Sequence, residues 1–129
     1  MTEMITTLTL DMKKQRIRIH KKMLEELNRP EYIVILVNPY KSTIVVVPME
    51  TGDKDTLKVS YDDSECEYYS KKLMSHLTKI RIQLDQSCTY RIKGKVINHG
   101  MALFDMHDAV RFSDPPDNET NTTGRINDD

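Results

Sequence analysis

The chain has 129 residues and a formal net charge of -1. One domain is therefore expected, with a core that covers roughly two thirds of the unfolded chain's surface. Two cysteines without CxxC spacing, Cys66 and Cys88, exclude a disulfide scaffold. No run approaches the ~18 apolar residues of a membrane span, and the N-terminus lacks the basic-then-apolar order of a secretory signal, so a cytoplasmic protein without membrane contact is expected.

Thr7–Leu10 (TLTL) alternates β-branched and apolar residues as a first strand. RIRIH, from Arg16 to His20, puts Ile17 and Ile19 on one face and Arg16, Arg18 and His20 on the other, the period of a half-buried strand. KKMLEEL follows, with Met23, Leu24 and Leu27 on one helical face. Asn28-Arg29-Pro30 ends that helix, because proline removes a backbone donor. YIVILV reads as a buried strand, Asn38 to Lys41 as a turn, and STIVVVP as the partner strand, so Tyr32 to Val47 forms a hairpin.

TLKVSY, from Thr56 to Tyr61, alternates as a further strand. Ser64 and Glu67 have capping-box spacing. They predict a helix that buries Tyr69, Leu73, Leu77, Ile80 and Leu84, with Cys66 and Met74 near its edge. Tyr90 to Ile97 reads as a strand with Tyr90, Ile92 and Val96 opposite Arg91, Lys93 and Lys95. Asn98-His99-Gly100 is a turn, and Met101 opens the last strand. Met23, Met74, Met101 and Met106 are expected in the core.

The expectation is an α+β fold of mainly antiparallel strands, in two strand-helix-hairpin units that form a small barrel or sheet. The domain spans residues 1–113, with units at 1–50 and 56–113, although the halves show no close residue identity. Residues 114–129 are polar and acidic and are expected to be disordered, since they bury too little to offset the entropy of ordering.

Charge falls in blocks. Met12 to Pro30 is basic, Met49 to Tyr69 acidic, and Ser70 to Asn98 basic again. His99 and His107 face each other across the last predicted hairpin, with only Cys88, Asp105 or Asp108 as further ligands. Solvated histidines explain them better than a metal site, and no metal or cofactor is expected. Asp62-Asp63 and Glu65-Glu67 read as a solvated acidic loop leading into a helix N-terminus rather than general-acid partners. Neither cysteine has the spacing of a Cys-His nucleophile pair, and a non-enzymatic protein is expected. Arg16 and Arg18 project from one strand face, flanked by Lys13, Lys14, Lys21 and Lys22, a cluster able to neutralise several phosphates and to read guanine edges.

The segments QRIRIHKKMLEEL, YIVILV and STIVVVP together resemble the swapped-hairpin domain of AbrB-like and SpoVT-like transition-state regulators and the related MraZ proteins. The likeness covers about a quarter of the chain, residues 15–48. Gln15 stands where the family has glycine, His20 where it has proline, and Pro30-Glu31 where it has Gly-Asp. The resemblance implies a DNA-binding transcriptional regulator that contacts duplex DNA through Arg16, Arg18, Lys21 and Lys22. It also implies an interdigitated homodimer, or a pseudo-dimer in which Arg91, Lys93 and Lys95 supply the second basic strand. The alternative is a protein-interaction module (an inhibitor, antitoxin or adaptor) whose acidic segments meet a basic partner.

Overall fold

The computed structural model describes residues 4–80, 82–97 and 100–112. The predicted Asn98-His99 turn residues, Arg81 and the acidic tail lie outside the described residues. The elements are β1 (Met4–Asp11), β2 (Arg16–His20), α1 (Lys21–Glu26), β3 (Tyr32–Asn38), β4 (Thr43–Met49), β5 (Leu57–Lys58), β6 (Glu65–Tyr69), α2 (Lys71–Leu77), β7 (Thr89–Ile97) and β8 (Met101–Phe112). The strands form one antiparallel sheet in the order β5-β3-β4-β8-β7-β1-β2-β6. It curls into a nearly closed barrel. The Tyr68 hydroxyl bridges the two edge strands by donating to the Lys58 carbonyl at 2.9 Å, and the Cys66 thiol donates to the Ser60 carbonyl just beyond β5 at 3.0 Å.

Alternation fills the interior. Leu8 and Leu10 from β1, Ile17 and Ile19 from β2, Ile33, Ile44, Val46, Ile92, Ala102, Phe104 and Met106 are all buried. Met23, Leu24 and Leu27 of the first helical segment and Leu73, Met74 and Leu77 of the second add to the same core. Burial of a side chain of this size contributes about 1.5–3 kcal/mol. His20 caps α1, its Nδ1 accepting from the Lys22 N–H at 3.1 Å. Gln15, in the β1–β2 turn, has φ 56°, the left-handed region that glycine enters without steric cost.

The second half departs from expectation. The start of the helix predicted from Ser64 is instead a strand, because Glu65–Tyr69 completes the backbone ladder of β2, with Ile19 opposite Cys66 and Arg18 opposite Glu67, and only Lys71–Leu77 of the predicted stretch is helix. Ser70 is the real cap, its Oγ accepting from the Leu73 N–H at 3.1 Å. α2 stops at Leu77, so Ile80 and Leu84 reach the core from outside the helix. Tyr69 points outward and is 65% exposed. Only Leu57–Lys58 of TLKVSY joins the sheet, pairing with β3. Met106 is buried, whereas Met101 lies on the outer face and is only half-buried.

Candidate nucleic-acid interface

The register across β6, β2, β1 and β7 lines up outward side chains in rows. One row reads Glu67, Arg18, Thr9, Arg91, Val110, each opposite the next across a strand pair. Arg18 and Arg91 therefore flank Thr9 from either side. On β7, Lys93 stands opposite Thr7 and Lys95 opposite Ile5. The basic residues of the first and second halves thus come to one face because β1 lies between β2 and β7. The Arg91 guanidinium stacks on the Phe112 ring at 3.9 Å from its centroid, a contact that holds an arginine flat without neutralising it.

The neighbouring row reads Tyr69, Arg16, Asp11, Thr89, Phe112, and here the predicted site residue has another task. Arg16 Nε donates to Asp11 Oδ2 at 3.1 Å, and Nη1 donates to Glu67 Oε2 at 3.1 Å. Asp11 is buried and also accepts from the Lys14 N–H at 3.1 Å. Burial opposes the charge of Arg16, but Tyr69, Glu67 and Asp11 outweigh it and raise the guanidinium pKa. Arg16 serves the β1–β2 turn before it serves any ligand.

A groove of about 610 Å³ runs between this face and α1. Arg18, Arg91, Lys22 and His20 line it together with Thr7, Thr9 and the carboxylates of Glu25, Glu26 and Glu65. Lys22 is exposed at the start of α1, while the Lys21 N–H donates to the Ser64 carbonyl at 2.8 Å and ties the helix to the β6 approach. Lys13 and Lys14 sit exposed in the β1–β2 turn. The threonines were the missed lining residues: the TLTL alternation that predicts β1 also turns Thr7 and Thr9 outward, opposite Leu8 and Leu10. The acidic lining from α1 and β6 had no local signal, because Glu65 is brought there only by β2–β6 pairing.

Apart from Glu65, the other weighed residues stay clear of this groove. Asp105 accepts from the His107 N–H at 2.9 Å and pairs with its Nδ1 at 2.7 Å, which holds the Asp105 carboxyl below its usual range. His99 lies outside the described residues. Among those described, no three His, Cys, Asp or Glu side chains gather as metal ligands. Cys66 is buried and Cys88 half-buried, both as free thiols. Ser87, through its hydroxyl and its N–H, lowers the pKa of Asp85 beside Cys88 and Arg111. Glu65 and Glu67 belong to a strand rather than to a loop entering a helix. No helix among the described residues is long and apolar enough to cross a membrane. Comparison of the chain with family models, curated proteins and solved structures gives no match.

Proposed function

We propose that this chain is a non-enzymatic DNA-binding regulator that meets duplex phosphates with the outer face of β2, β1 and β7. The supporting observation is the Arg18–Thr9–Arg91 row, continued by Lys93 and Lys95 on β7 and by Lys22 at the mouth of the groove. Cations on β2 and β7, either side of β1, present a two-dimensional positive surface, which suits a backbone of closely spaced phosphates better than an isolated strand would. The half-buried Thr7 opposite Lys93 adds a phosphate donor, whereas Thr9 between the arginines is buried. Glu25, Glu26 and Glu65 bound the groove on the helix side and direct the duplex toward β7.

The reading includes a two-unit architecture. Its first unit is β1-β2-α1-β3-β4 and its second β5-β6-α2-β7-β8. Strand neighbours support it, since β2 pairs with β6 and β4 with β8, while β1 meets β7 as β5 meets β3. The registers agree as well. Thr9 opposite Arg91 corresponds to Lys58 opposite Tyr32, and the two hairpins then superimpose Arg91, Lys93 and Lys95 on Tyr32, Val34 and Leu36. Aligned at their caps, the helices read KKMLEEL and KKLMSHL, with the same three positions buried. The second unit lacks a β5–β6 ladder among the described residues, and the two side-chain bonds across the barrel seam stand in its place.

The test is a titration of the full chain with a mixed-sequence duplex at two salt concentrations. Binding should weaken with salt, and Arg18→Ala plus Arg91→Ala should cost about tenfold or more in affinity at low salt and flatten the salt slope by about two. Absence of binding at low salt, or binding unchanged in the double variant, would sink the reading. A protein-interaction role draws support from the adjoining acidic flank, where Asp63, Glu67 and the Glu65 shared with the groove line a second recess of about 390 Å³. Capture of a basic protein that survives nuclease treatment and is lost on Glu65→Gln plus Glu67→Gln would favour that role.

A further inference from the structure

The barrel ends on two strand edges that no backbone ladder joins among the described residues. On one edge β6 pairs with β2, and the Lys21 N–H continues that ladder to the Ser64 carbonyl. Bonded residues alternate along an antiparallel strand, so Cys66 and Tyr68 give their backbone groups to β2. Glu65, Glu67 and Tyr69 turn theirs toward the seam. On the other edge the Val59 N–H donates to the Glu31 carbonyl at 2.9 Å. By the same alternation Lys58 and Ser60 face the seam, and their carbonyls accept from the Tyr68 and Cys66 side chains.

A row of outward N–H and C=O groups is a template for a further strand, and one side of this seam can yield to it. β5 meets β3 through two residue pairs, Tyr32 with Lys58 and Ile33 with Leu57, whereas β6 meets β2 through five. Local opening follows the side with fewer contacts, which here leaves the β6 edge in place. A recess of about 390 Å³ already lies along that edge, lined by Lys58, Ser60 and residues 63–68. A strand entering it replaces the two side-chain bonds of the seam with backbone bonds.

We infer that the seam takes an extended basic peptide of a partner protein as an added strand, antiparallel to β6. The inference rests on the protein-interaction role of the acidic flank and names its partner. Charge decides among the occupants. Asp63, Glu65 and Glu67 rim the recess against Lys58, with one oxygen of Glu67 held by Arg16. The chain's own residues 113–129 carry five acids and one arginine, so this rim repels them. A second copy joined β6 to β6 would set the glutamates of both copies side by side, and like charges opposite one another destabilise a ladder. Nucleic acid is repelled in the same way. The period of a strand then sets the peptide pattern. Residues opposite Glu65 and Glu67 point outward with them and are lysine or arginine. The residue between these two faces inward beside Cys66 and Tyr68, which pack with the core, and is apolar.

The experiment titrates the full chain at low salt with labelled acetyl-Thr-Lys-Val-Lys-Val-Lys-Thr-amide, read by fluorescence anisotropy. This peptide should bind, and its counterpart with glutamate in place of lysine should not. N-methylation of the lysine backbone amides keeps the charge but removes the ladder donors, and should weaken binding tenfold or more. Hydrogen exchange at the Glu65 and Glu67 amides, fast in the free chain, should slow when the peptide is added. Asp63→Asn plus Glu65→Gln should weaken binding severalfold. Tyr68→Phe, which removes a bond that the peptide must displace, should strengthen it severalfold. Absence of binding up to millimolar peptide overturns the inference, as does a Tyr68→Phe chain that binds no more tightly. Slow exchange of the Glu65 and Glu67 amides in the free chain overturns it too, because β5 would then close the seam itself. An N-methylated peptide that binds as well as its parent also overturns the added strand, yet leaves the acidic flank as a charge contact. The nuclease-treated capture tests the role of that flank separately, so the two failures are told apart.

Discussion

At the scale of single residues, Arg16 and Arg18 show how one strand face divides its labour. They are two positions apart and point the same way, yet Arg16 is locked between Asp11 and Glu67 while Arg18 opens onto the groove. The side chains of Arg16 and Asp11 are 13% and 4% exposed. Removing one partner strands a desolvated charge, a loss that reaches ~3–5 kcal/mol for a fully buried pair. Arg16→Ala should therefore destabilise the fold by about 2 kcal/mol, since Glu67 remains solvated and the Lys14 N–H still serves Asp11. Urea denaturation measures this loss, and a shift of the midpoint below the error of the method would contradict the structural role. The alternation of RIRIH makes both arginines legible as outward-facing. It says nothing about Asp11, whose position is set by the turn at Gln15.

At the scale of elements, strand β7 carries both the basic row and the tightest packing. Gly94 lies opposite Phe104, beside a register shift between Ile92 and Gly94. A Cβ at this position would overlap the Leu103 carbonyl oxygen and the Phe104 ring. Gly94→Ala should thus cost about 2–3 kcal/mol, as expected for a methyl forced into a packed site, read as a fall in thermal midpoint. An unchanged midpoint would mean that β8 moves aside freely. The helices teach a different lesson. KKMLEEL is plain from its spacing and its proline stop. KKLMSHL falls inside the predicted second helix, but its start was misplaced because Ser64 and Glu67 offer a capping box ahead of Ser70. The two serines compete locally on nearly equal terms. Ladder pairing with β2 makes Glu65–Tyr69 a strand and moves the cap, and only then do the two helices align residue for residue.

At the scale of the whole molecule, closure of the barrel depends on a seam without a backbone ladder. Tyr68 crosses it to the Lys58 carbonyl, and burial together with Cys66 pushes the Tyr68 phenol pKa well up, so the hydroxyl remains a donor through the neutral range. Tyr68→Phe should cost about 1 kcal/mol and speed hydrogen exchange in β5 more than in β8; uniform exchange rates in the variant would show that the seam is held otherwise. The strand order arranges the surface: with β1 seated between β2 and β7, cations distant in sequence come to one face, and the uncharged side of β3 and β4 is left outward. By itself the sequence determined the short-range features. Alternation announces RIRIH and the β7 strand, a continuous apolar run announces YIVILV, and proline and asparagine mark the ends, because periodicity and turn chemistry act over a few residues. Only the tertiary structure decided which strands are neighbours, that Arg16 is consumed by Asp11 and Glu67, that Arg18 and Arg91 share a row, and that Glu65–Tyr69 is strand rather than helix. Those outcomes depend on backbone pairing between distant segments, whose partners no local pattern names.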